Sequence, residues 1–252
     1  MDKLRPEEYN KALRFIENTD CGGVYARAVA ERIQAGDIFT DGRAALFWHC
    51  GGFAFVYGDC DSAFLGGIYE KYLSGKTLLP KRFVLFADER VKAYFSGKPD
   101  LTVGSRLFFE YPDDRAVPDF PLPEGFELRR ITKELTDRIN GRVVPLAYWD
   151  SAESFLAGGT GFCATKDGAP AAWAFSAAVS ADEADIGVET SEEYRRLGLA
   201  SAAAAETVRH IRSMHKKPVW ACSAENPASR DLALKVGFEQ VGKCFTIIHK
   251  TA

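Results

Sequence analysis

The run Tyr194-Arg195-Arg196-Leu197-Gly198-Leu199-Ala200-Ser201 joins an alternating strand pattern to an alanine-rich helical one. Such a joint gathers successive backbone N–H groups, a helix N-terminus and two arginines around one small volume. That arrangement suits a pyrophosphate. Gly198 fits a position where a side chain would block the approach, or where φ is positive. Alone, the same residues also fit a plain strand-to-helix turn carrying two surface arginines.

The flanking pattern is regular. Phe126–Ile131 predicts a strand, and Thr132–Asn140 and Val144–Leu156 predict helices. Gly161–Lys166 and Ala169–Ser180 predict strands around Asp167-Gly168, a type I′ hairpin signal. Ala184–Thr190 is a strand leading into the turn. Leu199–Met214 is a helix with Ala204, Val208 and Ile211 on one face, stopped before Pro218. Val219–Ser223 is a strand. Asn226 caps the next helix, Pro227 takes its first position and Gly237 ends it. Phe238–Lys250 supplies one or two last strands.

The first half reads as a smaller α/β module. Tyr9, Ala12, Leu13 and Ile16 follow a helical period, and Val24–Ile33 predicts a second helix. Ala44–His49 and Phe53–Tyr57 flank Gly51-Gly52 as a hairpin, and Arg82–Ala87 and Arg106–Tyr111 are further strands. Gly58-Asp59-Cys60-Asp61 is a strand-to-helix turn with Asp61 as N-cap. Between the halves, the segment 112–125 holds four prolines and five charged residues, which suits an extended connection. The expected division is an N-terminal domain at 1–111, a linker at 112–125 and a second domain at 126–252.

Composition narrows the function classes. A net charge of −3 over 252 residues argues against a surface that grips nucleic acid. The start, MDKLRPEEYN, lacks the apolar core of a secretory signal, and no apolar stretch is long enough to span a bilayer. His49-Cys50 with Cys60 lacks a fourth ligand, so no metal is expected. The six cysteines form no C-x-x-C pair and read as buried thiols of a reducing, cytoplasmic compartment. The four histidines make no triad, Ser201 sits in no G-x-S-x-G, and Gly158-Gly159-Thr160-Gly161 lacks the lysine of a P-loop. No internal repeat is visible.

The turn, with Asn226-Pro227-Ala228-Ser229 and Lys235-Val236-Gly237-Phe238 downstream, resembles the acetyl-coenzyme A site of the GNAT superfamily of N-acetyltransferases. Glu189-Thr190, Tyr194-Arg195, Gly198-Leu199-Ala200, Trp220, Asn226, Ser229, Leu232-Ala233, Lys235 and Gly237 fit the pattern of the subgroup that includes zwittermicin A resistance acetyltransferases. The resemblance runs from about Phe126 to the C-terminus. It implies an α/β (α+β) fold with a mixed, splayed central sheet and flanking helices, preceded by the smaller domain. It further implies acetyl-CoA as cosubstrate, held by the backbone of Ile186 and Val188, by the turn Arg195, Arg196, Gly198, Leu199, Ala200 and Ser201, and by Asn226 and Ser229. The implied reaction is direct acetyl transfer to a primary amine of a small molecule, with a backbone N–H near Val188 or Glu189 as oxyanion donor. Gly187 would let the cofactor arm approach closely.

Three carboxylates compete for the role of base. Glu183, Asp185 and Glu189 share one strand face by their period of two. Glu189 and Asp185 rank together, ahead of Glu183. Relatives place a tyrosine seven residues after the asparagine to protonate the leaving thiolate. Here that position is Ala233, with Tyr194 or Tyr148 as substitutes. The competing reading is a non-catalytic acyl-CoA-binding sensor of the same fold. The N-terminal domain is expected to wall the acceptor cleft or build a homodimer.

Overall fold

The computed structural model describes residues 1–16 and 22–250. In chain order the elements are β1 (Asp2–Lys3), α1 (Val24–Ala30), β2 (Gly36–Thr40), β3 (Ala44–His49), β4 (Phe53–Gly58), α2 (Ser62–Ile68), β5 (Val84–Ala87), α3 (Glu89–Phe95) and β6 (Leu101–Glu110). They continue with β7 (Phe126–Arg130), α4 (Lys133–Arg138), α5 (Ala152–Gly158), β8 (Gly161–Lys166), β9 (Ala169–Val179), β10 (Glu183–Thr190), α6 (Leu199–Ser213), β11 (Lys217–Ser223), α7 (Pro227–Val236) and β12 (Glu239–His249). The chain forms two compact units. One holds Met1–Leu107, Ser223–Glu225 and Gly242–Ala252; the other holds Phe108–Cys222 and Asn226–Val241.

In the first unit, β1 to β4 run antiparallel in sequence, β4 pairs β5 in parallel, and β12 pairs β5 antiparallel. The β3–β4 hairpin is as expected, with Gly52 in the left-handed region where Arg82 passes too close for a Cβ. Buried Phe39, Leu46, Trp48, Phe64, Leu65, Tyr72, Phe83 and Leu85 form one core on the α2–α3 side. Asp61 caps α2 by accepting from Phe64 N–H at 2.8 Å, and Asp88 caps α3 in the same way from Val91 N–H at 2.7 Å. Such a cap is worth about 1 kcal/mol.

Two expectations for this unit need correction. Pro6–Phe15 is a 3₁₀ helix rather than an α-helix. The buried positions Tyr9, Ala12 and Ile16 are compatible with either winding. Elements β2 and α3 were not anticipated. Their short runs carry few periods, and only their packing reveals them.

In the second unit, β7–β8–β9–β10 is an antiparallel meander and β10 pairs β11 in parallel. Asp167 and Gly168 have φ of 50° and 75°, the two positive values a type I′ turn requires. Ala172 and Trp173 are consecutive on β9 and face opposite ways. Ala172 packs against Leu199 of α6, so α6 covers that side. Phe175 lies on the Trp173 side and meets Phe155 of α5 and Tyr148 edge-on. The predicted helix Val144–Leu156 is instead a 3₁₀ turn, Pro145–Ala147, followed by α5. Ser151 is extended at φ −155° and caps α5 in a capping box with Ser154, which breaks the longer helix.

The segment 112–125 has no helix or strand and is bound to the second unit rather than free. Arg115 donates to Gly237 O at 2.7 Å and Arg212 to Asp113 O at 2.6 Å, while Arg209 pairs with Asp119. The compact units also part from the expected boundaries, because the chain's last strand completes the sheet of the first unit beside β5.

The same order of elements occurs twice. Strand, two helices, three antiparallel strands, helix, parallel strand, helix, strand describes 2–110, taking the 3₁₀ helix as the first of the two, and again 126–249. The parallel pair begins alike in both: β4 and β5 pair from Phe53↔Val84 to Phe55↔Phe86, and β10 and β11 from Glu183↔Lys217 to Asp185↔Val219. The repeat is one of topology, hence its invisibility in the residues.

Candidate active site

β10 and β11 open as a fork. They pair only at Glu183↔Lys217, Ala184↔Pro218 and Asp185↔Val219, while β10 stays paired with β9 through Thr190↔Ala172. Ser191 N–H donates to Ala171 O at 2.9 Å. Hydrogen-bonding residues alternate along an antiparallel ladder, so Glu189 and Gly187 also turn their backbone groups toward β9. Ile186, Val188 and Thr190 therefore turn theirs toward the open side of the fork. These groups form the free edge to which an extended ligand can add as a strand.

β10 leads through a 3₁₀ turn, Glu192–Tyr194, to the mouth of α6. Arg196 has φ of 65°, a left-handed conformation that costs a side-chain-bearing residue roughly 1–2 kcal/mol. Gly198 is the helix N-cap at φ 82°, makes no side-chain cap, and a Cβ there would meet nothing within 4 Å. Two left-handed residues thus set the entry into α6, whose first turn has no side-chain cap, beside the exposed Arg195 and Arg196. Arg195 lies 3.6 Å from Glu192 in a solvated pair. Ser201 differs from its neighbours. It is buried, and its N–H donates to Gly198 O at 3.0 Å, closing the first turn. Leu199 is buried in the α6 core and contributes its backbone only.

Asn226 caps α7, its Oδ1 accepting from Ser229 N–H at 3.1 Å. Ser229 Oγ accepts from Trp220 Nε1 at 3.2 Å, tying the start of α7 to β11 across from the fork. Gly237 ends α7 at φ 118°. Ala233 is fully buried.

The three acids keep their shared face, because the β10–β9 register shift at Asp185/Ile186 places the extra residue, Ala177, on β9. Their surroundings differ. Asp185 is buried at the last paired position, the crotch of the fork. Glu183 lies two residues back, in the paired arm. Glu189 lies beyond the crotch, and its Oε2 accepts from Val143 N–H at 2.7 Å. That bond spans the connection between α4 and the 3₁₀ turn, which no spacing in the sequence could foretell.

Gly187 has a different neighbour from the one expected. A Cβ there would stand 3.0 Å from Phe175 Cζ and 3.1 Å from Val143 Cγ1, so its missing side chain admits an aromatic ring and the loop. Of the two substitute tyrosines, Tyr148 lies against Phe175 with ring centroids 5.8 Å apart, on the face of the acids. Tyr194 packs on Phe126 at 5.6 Å instead.

Other chemistries find little support. Burial pushes the Cys60 thiol up to about 11 and the Cys163 thiol up to about 12, so neither supplies a thiolate near neutrality. Cys222 and Cys244 are buried, Cys50 is half-buried, and Cys21 lies outside the described residues. Among the described residues no three of His, Cys, Asp and Glu cluster as metal ligands, and no helix is long and apolar enough to cross a membrane.

A family model of GNAT acetyltransferases matches residues 18–246. The chain belongs to this family. A Bacillus subtilis (strain 168) protein described as an uncharacterized N-acetyltransferase, YdfB, is 28% identical over 256 residues, covering 96% of this chain and 95% of that one. The fold matches a GCN5-related N-acetyltransferase-like protein of Streptococcus suis 89/1591 with a TM-score of 0.73 at 21% identity, over 97% of this chain and 99% of the other. It also matches a tandem GNAT protein from the clavulanic acid biosynthesis pathway with a TM-score of 0.62 at 14% identity, over 100% and 98% of the two chains.

Proposed function

We propose that the protein moves an acetyl group from acetyl-CoA to a primary amine of a small molecule, in the cytoplasm, by direct attack. The observation that carries this reading is the fork. A strand edge freed beyond Asp185 leads through one 3₁₀ turn to a helix mouth that has no side-chain cap. Arg195, Arg196 and the amides of Gly198, Leu199 and Ala200 would hold the diphosphate. Charge-assisted bonds of this kind are worth roughly 1.5–3 kcal/mol each. Ile186 and Val188 would hold the pantetheine arm, and the caps at Asn226 and Ser229 would flank it. Similarity to the zwittermicin A resistance subgroup is part of this proposal and rests on the motifs from Glu189 to Gly237.

When bound, acetyl-CoA supplies an acyl group already activated as a thioester. The chain's own residues then do three things. The open edge fixes the orientation of the bound arm, which converts an encounter into a positioned reaction. The Val188 N–H, turned into the fork, is the donor placed to meet developing oxyanion charge. Asp185, buried at the crotch, takes the proton that the acceptor ammonium loses to become the attacking amine, with Glu183 two rungs behind it on the same face.

A sensor that binds acyl-CoA without turnover is the second reading, favoured by the buried methyl of Ala233 where relatives carry a hydroxyl. One experiment separates them. Acetyl-CoA is titrated by calorimetry, and free thiol release is then followed across spermidine, lysine methyl ester and kanamycin. Turnover of any amine supports the transferase. Binding without thiol release supports the sensor, and no binding removes both.

A further inference from the structure

Val143 is held on three sides. Its N–H donates to Glu189 Oε2 at 2.7 Å, and its C=O accepts from Trp173 Nε1 at 2.7 Å. Its side chain lies where a Gly187 Cβ would come within 3.1 Å. Glu189 and Trp173 are direct cross-strand partners. The two bonds therefore rise from a single rung of the β9–β10 ladder and grip both polar groups of one residue. Gly141 completes the arrangement, because a side chain there would collide with the Glu189 carboxylate. With a Cβ at 141, hard up against Glu189 Oε2, the carboxylate or the loop would have to shift.

This rung belongs to the half of β10 that has parted from β11. It is four residues beyond Asp185, about 13 Å along the strand at ~3.3 Å per residue. Two carboxylates so far apart cannot both abut one reacting nitrogen. One Glu189 oxygen is already taken by a backbone donor, and what that bond secures is the loop lying on the Gly187 face of the parted half of β10.

We propose that Glu189 is a positioning residue that clamps the loop 141–143 as the acceptor-side wall of the fork, and that it is not the proton acceptor. Its consequence for turnover rests on the acetyl-transfer reading; the clamp itself does not. Glutamine at 189 keeps an oxygen for the Val143 amide, whereas alanine removes it. Glu189→Ala leaves the loop without its tether, and Gly141→Ala drives the loop and the carboxylate apart.

The test pairs amide hydrogen exchange at Val143 with steady-state thiol release, using whichever amine of the panel the wild-type protein turns over fastest. Glu189→Ala and Gly141→Ala are expected to speed Val143 exchange by about tenfold or more, and Glu189→Gln to leave it within about threefold. In turnover, both loosening variants raise the acceptor KM about tenfold, while kcat keeps its wild-type pH profile. Glu189→Gln restores the wild-type KM. A Glu189→Gln variant with normal Val143 exchange but kcat down about a hundredfold and a flattened pH profile would overturn the proposal, since a base and not a clamp had been lost. Unchanged Val143 exchange in Glu189→Ala would overturn it equally. If the wild-type protein turns over no amine, the transferase reading falls, and the exchange measurements still decide the clamp.

Discussion

Asp185 faces Val219 at the last paired rung between β10 and β11, and from the next residue onward the two strands run apart. The residue is buried, four places upstream of Glu189 on the same strand face. Replacing it by asparagine keeps the shape and removes the proton acceptor. Asp185→Asn is expected to lower kcat by about two to four decades and to flatten the pH profile on its acidic side. Retention of the wild-type profile would assign the proton elsewhere.

Gly198 faces open space at a positive φ, at the mouth of α6. Valine there strains the backbone and fills the volume assigned to the diphosphate. Gly198→Val should weaken acetyl-CoA binding at least about tenfold in a calorimetric titration. Circular dichroism should show the helix content unchanged. Wild-type affinity in a folded Gly198→Val variant would remove the helix mouth from the site.

The two copies of the topology differ at this joint. Between β10 and α6 the chain has room for an outward-pointing turn, whereas between β4 and α2 it passes directly into a helix capped by Asp61. That carboxylate accepts the Phe64 N–H and pairs with Arg43. The Phe64 amide in the first turn of α2 is thus satisfied from within. Calorimetry should return a stoichiometry of one acetyl-CoA per chain, and Asp61→Ala should cost about 1 kcal/mol of stability without changing that stoichiometry. Two equivalents bound would mean the first copy retains a site.

His49 supplies an acid-sensitive element. It is buried, and its Nδ1 accepts from Gly51 N–H at 2.9 Å. Burial first, and then the charges of Lys81 and Arg82, bring its pKa down from 6.5 to about 3. Between those values the unfolded chain binds a proton that the folded chain does not. Stability is therefore whole above about pH 6.5 and falls progressively as pH drops toward 3, by roughly several kcal/mol in all. Urea midpoints at pH 7, 5.5 and 4.5 check this. His49→Gln should flatten the slope over that range even if it lowers stability at pH 7.

Local chemistry was legible wherever a residue type has one good backbone solution. Asp167-Gly168 meets the demand of a two-residue hairpin for positive φ, and Asn226, Pro227 and Gly237 punctuate α7 as their side chains dictate. The left-handed Gly198 at the mouth of α6 was legible for the same reason. What escaped depends on distance along the chain. The bond from Glu189 to Val143 joins residues 46 apart, and β12 finds β5 from the far end of the chain. The doubled topology escaped because Asp59-Cys60-Asp61 and 191–198 share a place in the fold without sharing residues. Gly187 misled for a physical reason. A missing Cβ can admit a ligand or a neighbour, and here the neighbours are Phe175 and Val143.

Amide hydrogen exchange with and without acetyl-CoA tests the central claim most directly. The account predicts that saturation with acetyl-CoA slows exchange at Ile186, Val188 and Thr190 on the open edge and at Gly198, Leu199 and Ala200 at the helix mouth, leaving α2 unaffected. Binding that leaves these six amides unchanged, or that protects β11 and β10 as one closed ladder, would contradict it.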